Sequence, residues 1–149
     1  MSVLKRHLII AVFLLGTTST ALAFNANDFL GTWRYAKNAY IASGTIYMVF
    51  SEGGHCVQVA KLSIAGITHW ETATCSWSVD QAVLSVRTTA SVTTPKQVGT
   101  STSVTIDSLS SEAFSISKDS DRQGWTRTER VPDEYAIKLA LERAAGSSQ

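Results

Sequence analysis

Between Gly31 and Arg130 the chain repeats one pattern: a short run rich in β-branched and aromatic residues, then a turn signal. The interval is about 8 to 12 residues, the rhythm of an all-β domain. The runs are 31–36, 45–51, 55–63, 68–79, 82–89, 102–107, 113–118 and 123–130. Gly53-Gly54, Ala65-Gly66, Asp80-Gln81 and Ser120 mark four of the breaks. Only the stretch 90–101, with Pro95 and Gly99, is long enough to read as a loop of its own. Eight antiparallel strands joined in sequence by hairpins close naturally into an up-and-down barrel. A two-sheet sandwich is the other arrangement open to the same strands.

The cysteines test the register of one hairpin. Folding the third run back on the fourth about Ala65-Gly66, through a four-residue loop 64–67, pairs residues whose numbers sum to 131. Cys56 and Cys75 then face one another across two strands, a separation that a disulfide can span. Metal or redox readings want a close C-x-x-C spacing or added His ligands, and neither is present.

Ahead of the barrel, Met1 to Ala23 places Lys5 and Arg6 before the apolar run 8–16 and ends on Ala21-Leu22-Ala23. A basic head, an apolar segment too short to span a bilayer and a small-x-small site make a secretory signal peptide, cleaved after Ala23. No Cys follows that point, so no lipid anchor is expected. The mature protein is expected to be periplasmic or secreted, without a membrane anchor, and to meet an oxidising compartment that favours a Cys56–Cys75 disulfide.

Removing 23 of 149 residues leaves 126, one domain's worth. The leader holds two of the 13 basic residues and none of the 12 acidic ones, so the remainder carries 11 against 12, or −1. Near-neutrality argues against a nucleic-acid partner and against a polybasic membrane-surface binder. A monomer is expected.

After the barrel, residues 131–146 open on Pro132, Asp133 and Glu134, fill with Ala and Leu, and close on Arg143 and Gly146. These are helix signals at both ends. Tyr135, Leu139 and Glu142, with Ala136, Ile137 and Leu141 beside them, give a partly apolar face that should pack on the outside of the barrel or across one end. A partner-binding helix is the sharper alternative.

Phe29-Leu30-Gly31-Thr32-Trp33 resembles the Gly-x-Trp opening of lipocalins and bacterial lipocalin-like domains. Phe50-x-x-Gly53-Gly54 is similar to the family's next hairpin, with Gly where Asp is usual. Trp77-Ser78-Val79 with Leu84 and Trp125-Thr126-Arg127 match the later strands. The resemblance spans residues 30–130 and implies a lipocalin-like barrel in which Trp33 packs at the closed end beneath Arg127, with Arg130 in reserve. Avidins share Gly-Thr-Trp, but Arg34-Tyr35-Ala36-Lys37 follows here in place of their polar contact, which disfavours biotin. Periplasmic metalloprotease-inhibitor barrels are the second resemblance, although the segment before the barrel is short and a C-terminal helix is not expected there.

Chemistry is scarce. On the hairpin register His55 faces Ser76 and His69 faces Leu62, far apart along the ladder. His69 and Glu71 share a face without a third ligand, so no metal is expected. Asp119 and Asp121 sit in a turn, where solvated acids are ordinary. No nucleophile elbow, Cys–His pair or phosphate loop is found, so neither a cofactor nor enzymatic activity is expected. The aromatic residues are the better lead, since they exceed what closing one barrel end requires. Phe50, Trp77, Leu84, Phe114 and Trp125 are the candidates to line a small apolar pocket, lidded by the loop 90–101. The expected function is non-catalytic binding of a small apolar or amphipathic ligand. The alternative is a protein-binding envelope protein with a filled interior, such as a periplasmic protease inhibitor.

Overall fold

The computed structural model describes residues 23–146. The leader expected over residues 1–23 lies, except for Ala23, outside the described residues. Eight strands run in chain order: β1 (Gly31–Asn38), β2 (Ala42–Ser51), β3 (His55–Ile64), β4 (Ile67–Asp80), β5 (Val83–Ala90), β6 (Ser101–Leu109), β7 (Ala113–Lys118) and β8 (Asp121–Thr128). Each pairs antiparallel with its neighbour, and β1 pairs with β8 to close the barrel. The sandwich is therefore excluded, and the expected up-and-down barrel is the fold.

The third hairpin has the expected register: Cys56 pairs with Cys75 and Ile64 with Ile67. Its loop, however, is two residues and not four. Ala65 and Gly66 both take positive φ, 50° and 80°. That is the twist a two-residue hairpin needs to match the right-handed coil of its strands. The cysteines form a disulfide, with Cα atoms 4.8 Å apart.

Alternation sorts each strand into an inner and an outer face. Met48, Phe50, Cys56, Cys75, Trp77, Leu84, Ile106, Phe114, Ile116 and Trp125 point inward and form one buried cluster with Phe29 and Trp33. A short 3-10 turn, Ala26–Phe29, precedes β1 and drives Phe29 fully into that cluster. Asn25 caps the turn by accepting from the Asn27 amide at 2.9 Å.

The helix α1 (Asp133–Gly146) lies outside the barrel against β3 and β4. Tyr135 and Leu139 join Tyr47 and Val59 in a second, smaller core. Edge-to-face contacts of Tyr135 with Tyr47 (4.7 Å) and Trp70 (5.1 Å) fix its seat. Relative to the sequence expectation, the helix starts two residues later, and β8 is shifted toward the turn before it. Among the described residues no helix is long and apolar enough to cross a membrane.

Candidate functional site

One end of the barrel is shut. Trp33 is fully buried, donates from Nε1 to the Phe29 carbonyl at 2.7 Å and packs edge-on against Phe114 at 4.7 Å. Its register partner across the closing strands is Arg127, whose guanidinium lies 4.1 Å from the indole centroid. That guanidinium also donates to three carbonyls, those of Leu30 (2.6 Å), Asp28 (2.9 Å) and Ser111. One side chain thus ties the first turn, the first strand and the β6–β7 loop together over the indole, a cation–π contact reinforced by charge-assisted hydrogen bonds. Gly31 sits directly beneath, at φ 116°, and a Cβ there would stand 2.7 Å from an Arg127 nitrogen. The Gly of Gly-x-Trp is needed for both its conformation and its lack of a side chain. Arg130 has no part in this closure.

The other end is open, and above the aromatic floor lies a cavity of about 630 Å³. Its walls are Ile46, Met48, Phe50, Leu84, Val86, Val104, Phe114, Ile116 and Trp125. Gln58, Thr88, Thr102 and Gln123 add uncharged polar groups, and Gln97, Thr100, Lys118, Asp119 and Asp121 ring the mouth. Four of the five lining candidates from the sequence, Phe50, Leu84, Phe114 and Trp125, belong to the wall. Trp77 does not: it points inward but lies lower, in the closed-end cluster, 4.8 Å from Phe50. Its Nε1 is held by the carbonyls of Ser51 (3.2 Å) and His55 (3.0 Å).

Trp125 contrasts with the other two inward tryptophans. Its ring lies parallel to Phe114 at 5.6 Å and against Tyr35 at 5.3 Å, yet its buried Nε1 has no hydrogen-bond partner. A buried donor left unpaired costs about 1–3 kcal/mol. The other such atom among the described residues, Asp107 Oδ2, has the Arg122 guanidinium 3.4 Å away as an ionic partner. The periodicity that placed Trp125 on the inner face carries no information on its N–H.

The loop after β5 forms one wall of the mouth, and α1 holds it there. Glu142, 1% exposed, accepts from the Val92 amide at 2.9 and 3.1 Å and from the Thr72 hydroxyl at 2.6 Å. Thr93 and Ser91 complete the seam, bonding the backbone of Thr72. The carboxylate therefore ends in two kinds of donor rather than in water, as a buried charge must. Sequence placed Glu142 on the packing face of the helix, but not its partner in the loop, since 50 residues separate it from Val92.

His55 and His69 lie at opposite ends of β3 and β4, opposite Ser76 and Leu62. Among the described residues no three His, Cys, Asp or Glu side chains come together as a metal site would require.

No family model and no curated protein matches the chain. Among solved structures it is similar to the crystal structure of a lipocalin-like protein from Bacteroides uniformis, at 11% identity and a TM-score of 0.47. The alignment covers 68% of this chain and 99% of that one.

Proposed function

We propose that this is an exported, non-catalytic carrier that holds a small apolar or amphipathic molecule inside its barrel. The observation that supports this is the cavity itself. Its volume falls in the range of small-molecule sites, and it is open at one end, with apolar side chains such as Met48, Phe50, Leu84 and Phe114 in its walls and charged ones at its mouth. A barrel of eight strands can fill its interior with side chains, and here the filling stops at the aromatic floor. The test is native mass spectrometry after incubation with a total lipid extract and removal of excess lipid. One discrete small-molecule adduct per chain is expected; a bare protein across the whole extract would overturn the carrier reading.

A second reading, binding to another protein, is favoured by one observation. Tyr40, Ile41, Ile64 and Ile67 are exposed on two hairpin tips at the open end, joined by the Ala65 amide donating to the Ile41 carbonyl at 3.0 Å. Tyr40→Ser with Ile41→Ser leaves small-molecule binding unchanged under the carrier reading.

A further inference from the structure

We infer that the open end of the barrel docks reversibly on a lipid bilayer with anionic headgroups, through the β1–β2 and β3–β4 hairpin tips. Docking of this kind is independent of what fills the cavity. Six of the nine large apolar side chains exposed among the described residues lie at this end: Tyr40, Ile41, Ile64, Ile67, Val92 and Val98. Tyr40 and Ile41 are the two loop residues of a hairpin closed by Ala39 and Ala42, which exchange backbone hydrogen bonds of 2.7 and 3.3 Å. A turn of that length favours Gly, Asn or Asp, so local folding does not account for a fully exposed tyrosine beside an exposed isoleucine. Ile64 and Ile67 pair at the foot of the next turn, and the Ala65 amide, donating to the Ile41 carbonyl, holds the two tips side by side. Four apolar side chains thus stand on protruding tips at the rim of the barrel. Tips of that shape can enter a headgroup layer, and tyrosine suits its boundary.

Charge selects lipid as the occupant. Between Phe29 and Trp70 the chain holds one acidic residue, Glu52, and it lies at the closed end. Neither tip therefore carries an acid, while Lys37 on β1 and Lys96 in the loop after β5 are exposed at the same end. Asp119 and Asp121 belong to the β7–β8 turn, where Lys118 accompanies them. The closed end is the acidic pole: Asp28, Glu52, Asp80, Glu112 and Glu129 are exposed there, against Arg130 and the Arg127 that closes the barrel. An anionic surface repels that pole and turns the apolar tips toward itself. The chain is too near neutral to be held by charge alone, so the tips supply the hold and charge supplies the orientation.

Flotation with vesicles tests this, using protein recovered from the periplasm of an expressing bacterium, its intact mass showing residues 1–23 removed. The wild type is expected to float with vesicles of equal parts phosphatidylcholine and phosphatidylglycerol, and at least about fivefold less with phosphatidylcholine alone. Ile41→Ser with Ile67→Ser should weaken binding to the mixed vesicles at least about tenfold. Ile137→Ser with Leu141→Ser, on the exposed side of α1, should change it less than about twofold. A wild type that stays in solution overturns the proposal, as does a tip variant that floats as well as the wild type. Equal flotation with both kinds of vesicle overturns the part assigned to charge. A second protein held by the tips in native mass spectrometry, without flotation, would make them a protein interface instead. If the tip variant does not fold or the leader stays on, paramagnetic broadening of amide signals by a gadolinium-chelating lipid decides. Broadening at Ile41 and Gly66 before Gly53 and Gly54 supports docking by the open end, and the reverse order overturns it.

Discussion

At the scale of single residues, closure depends on a stack of three: Gly31, Arg127 and Trp33. Any side chain at position 31 meets both an unfavourable φ of 116° and the pinned guanidinium 2.7 Å from its Cβ. Gly31→Ala should therefore lower unfolding free energy by about 2–4 kcal/mol, measured by urea denaturation. A loss below about 0.5 kcal/mol would show that Arg127 yields freely. This part of the molecule was legible in the sequence because a motif carries it: Gly-x-Trp on the first strand and Trp-x-Arg on the last. The faces of the two tryptophans of β4 follow from their spacing instead. Trp70 and Trp77 are seven apart, so an unbroken strand must send them to opposite faces. The irregularity between Thr74 and Cys75 affects the pairing with β5, while the register with β3 runs unbroken. Trp77 consequently enters the core and Trp70 lies outside beneath Tyr135.

At the scale of elements, α1 acts as a brace for the mouth. Glu142→Ala removes the acceptor of the Val92 amide and of the Thr72 hydroxyl. It should cost about 1–3 kcal/mol and expose the Val92 amide to hydrogen exchange at a rate near that of an open loop. Unchanged protection at Val92 would mean that the Thr93 and Ser91 bonds hold the loop without the helix. Tyr135 ties the same helix to the barrel, and burial raises its phenol above the ordinary value of 10.0, with Tyr47 adding to the shift. Folding thus favours the protonated phenol. The stability it contributes is fully present below pH 10.0, and it is lost as pH rises through the higher folded-state value. Thermal melts should show an alkaline loss of stability above that pH that is smaller in Tyr135→Phe; identical alkaline profiles would remove Tyr135 as the cause. The helix follows from local signals that sequence displays plainly, but of its expected face only Tyr135, Leu139 and Glu142 are buried against the barrel, while Ala136, Ile137 and Leu141 flank that narrow stripe and are exposed. Its partner loop follows from the closed topology, which only the assembled barrel supplies.

At the scale of the whole molecule, the two halves of the barrel differ along its axis. The closed half is filled by aromatic side chains, Phe29, Trp33, Phe50, Trp77 and Phe114. The open half keeps a space of about 630 Å³. Strand alternation tells which residues face inward, but whether they meet across the barrel depends on side-chain volume summed over eight strands, a property no single run contains. The most direct test is titration with the neutral fluorophore N-phenylnaphthylamine of the wild-type protein and of Val104→Trp, which fills the cavity from its wall. Ile137→Ser, on the exposed side of α1 and 64% exposed, serves as the control. Saturable, blue-shifted binding at one site per chain is predicted for the wild type and the control, with affinity at least about tenfold weaker in a folded Val104→Trp. Equal binding by the filled barrel, or none by the wild type, would contradict a ligand held inside.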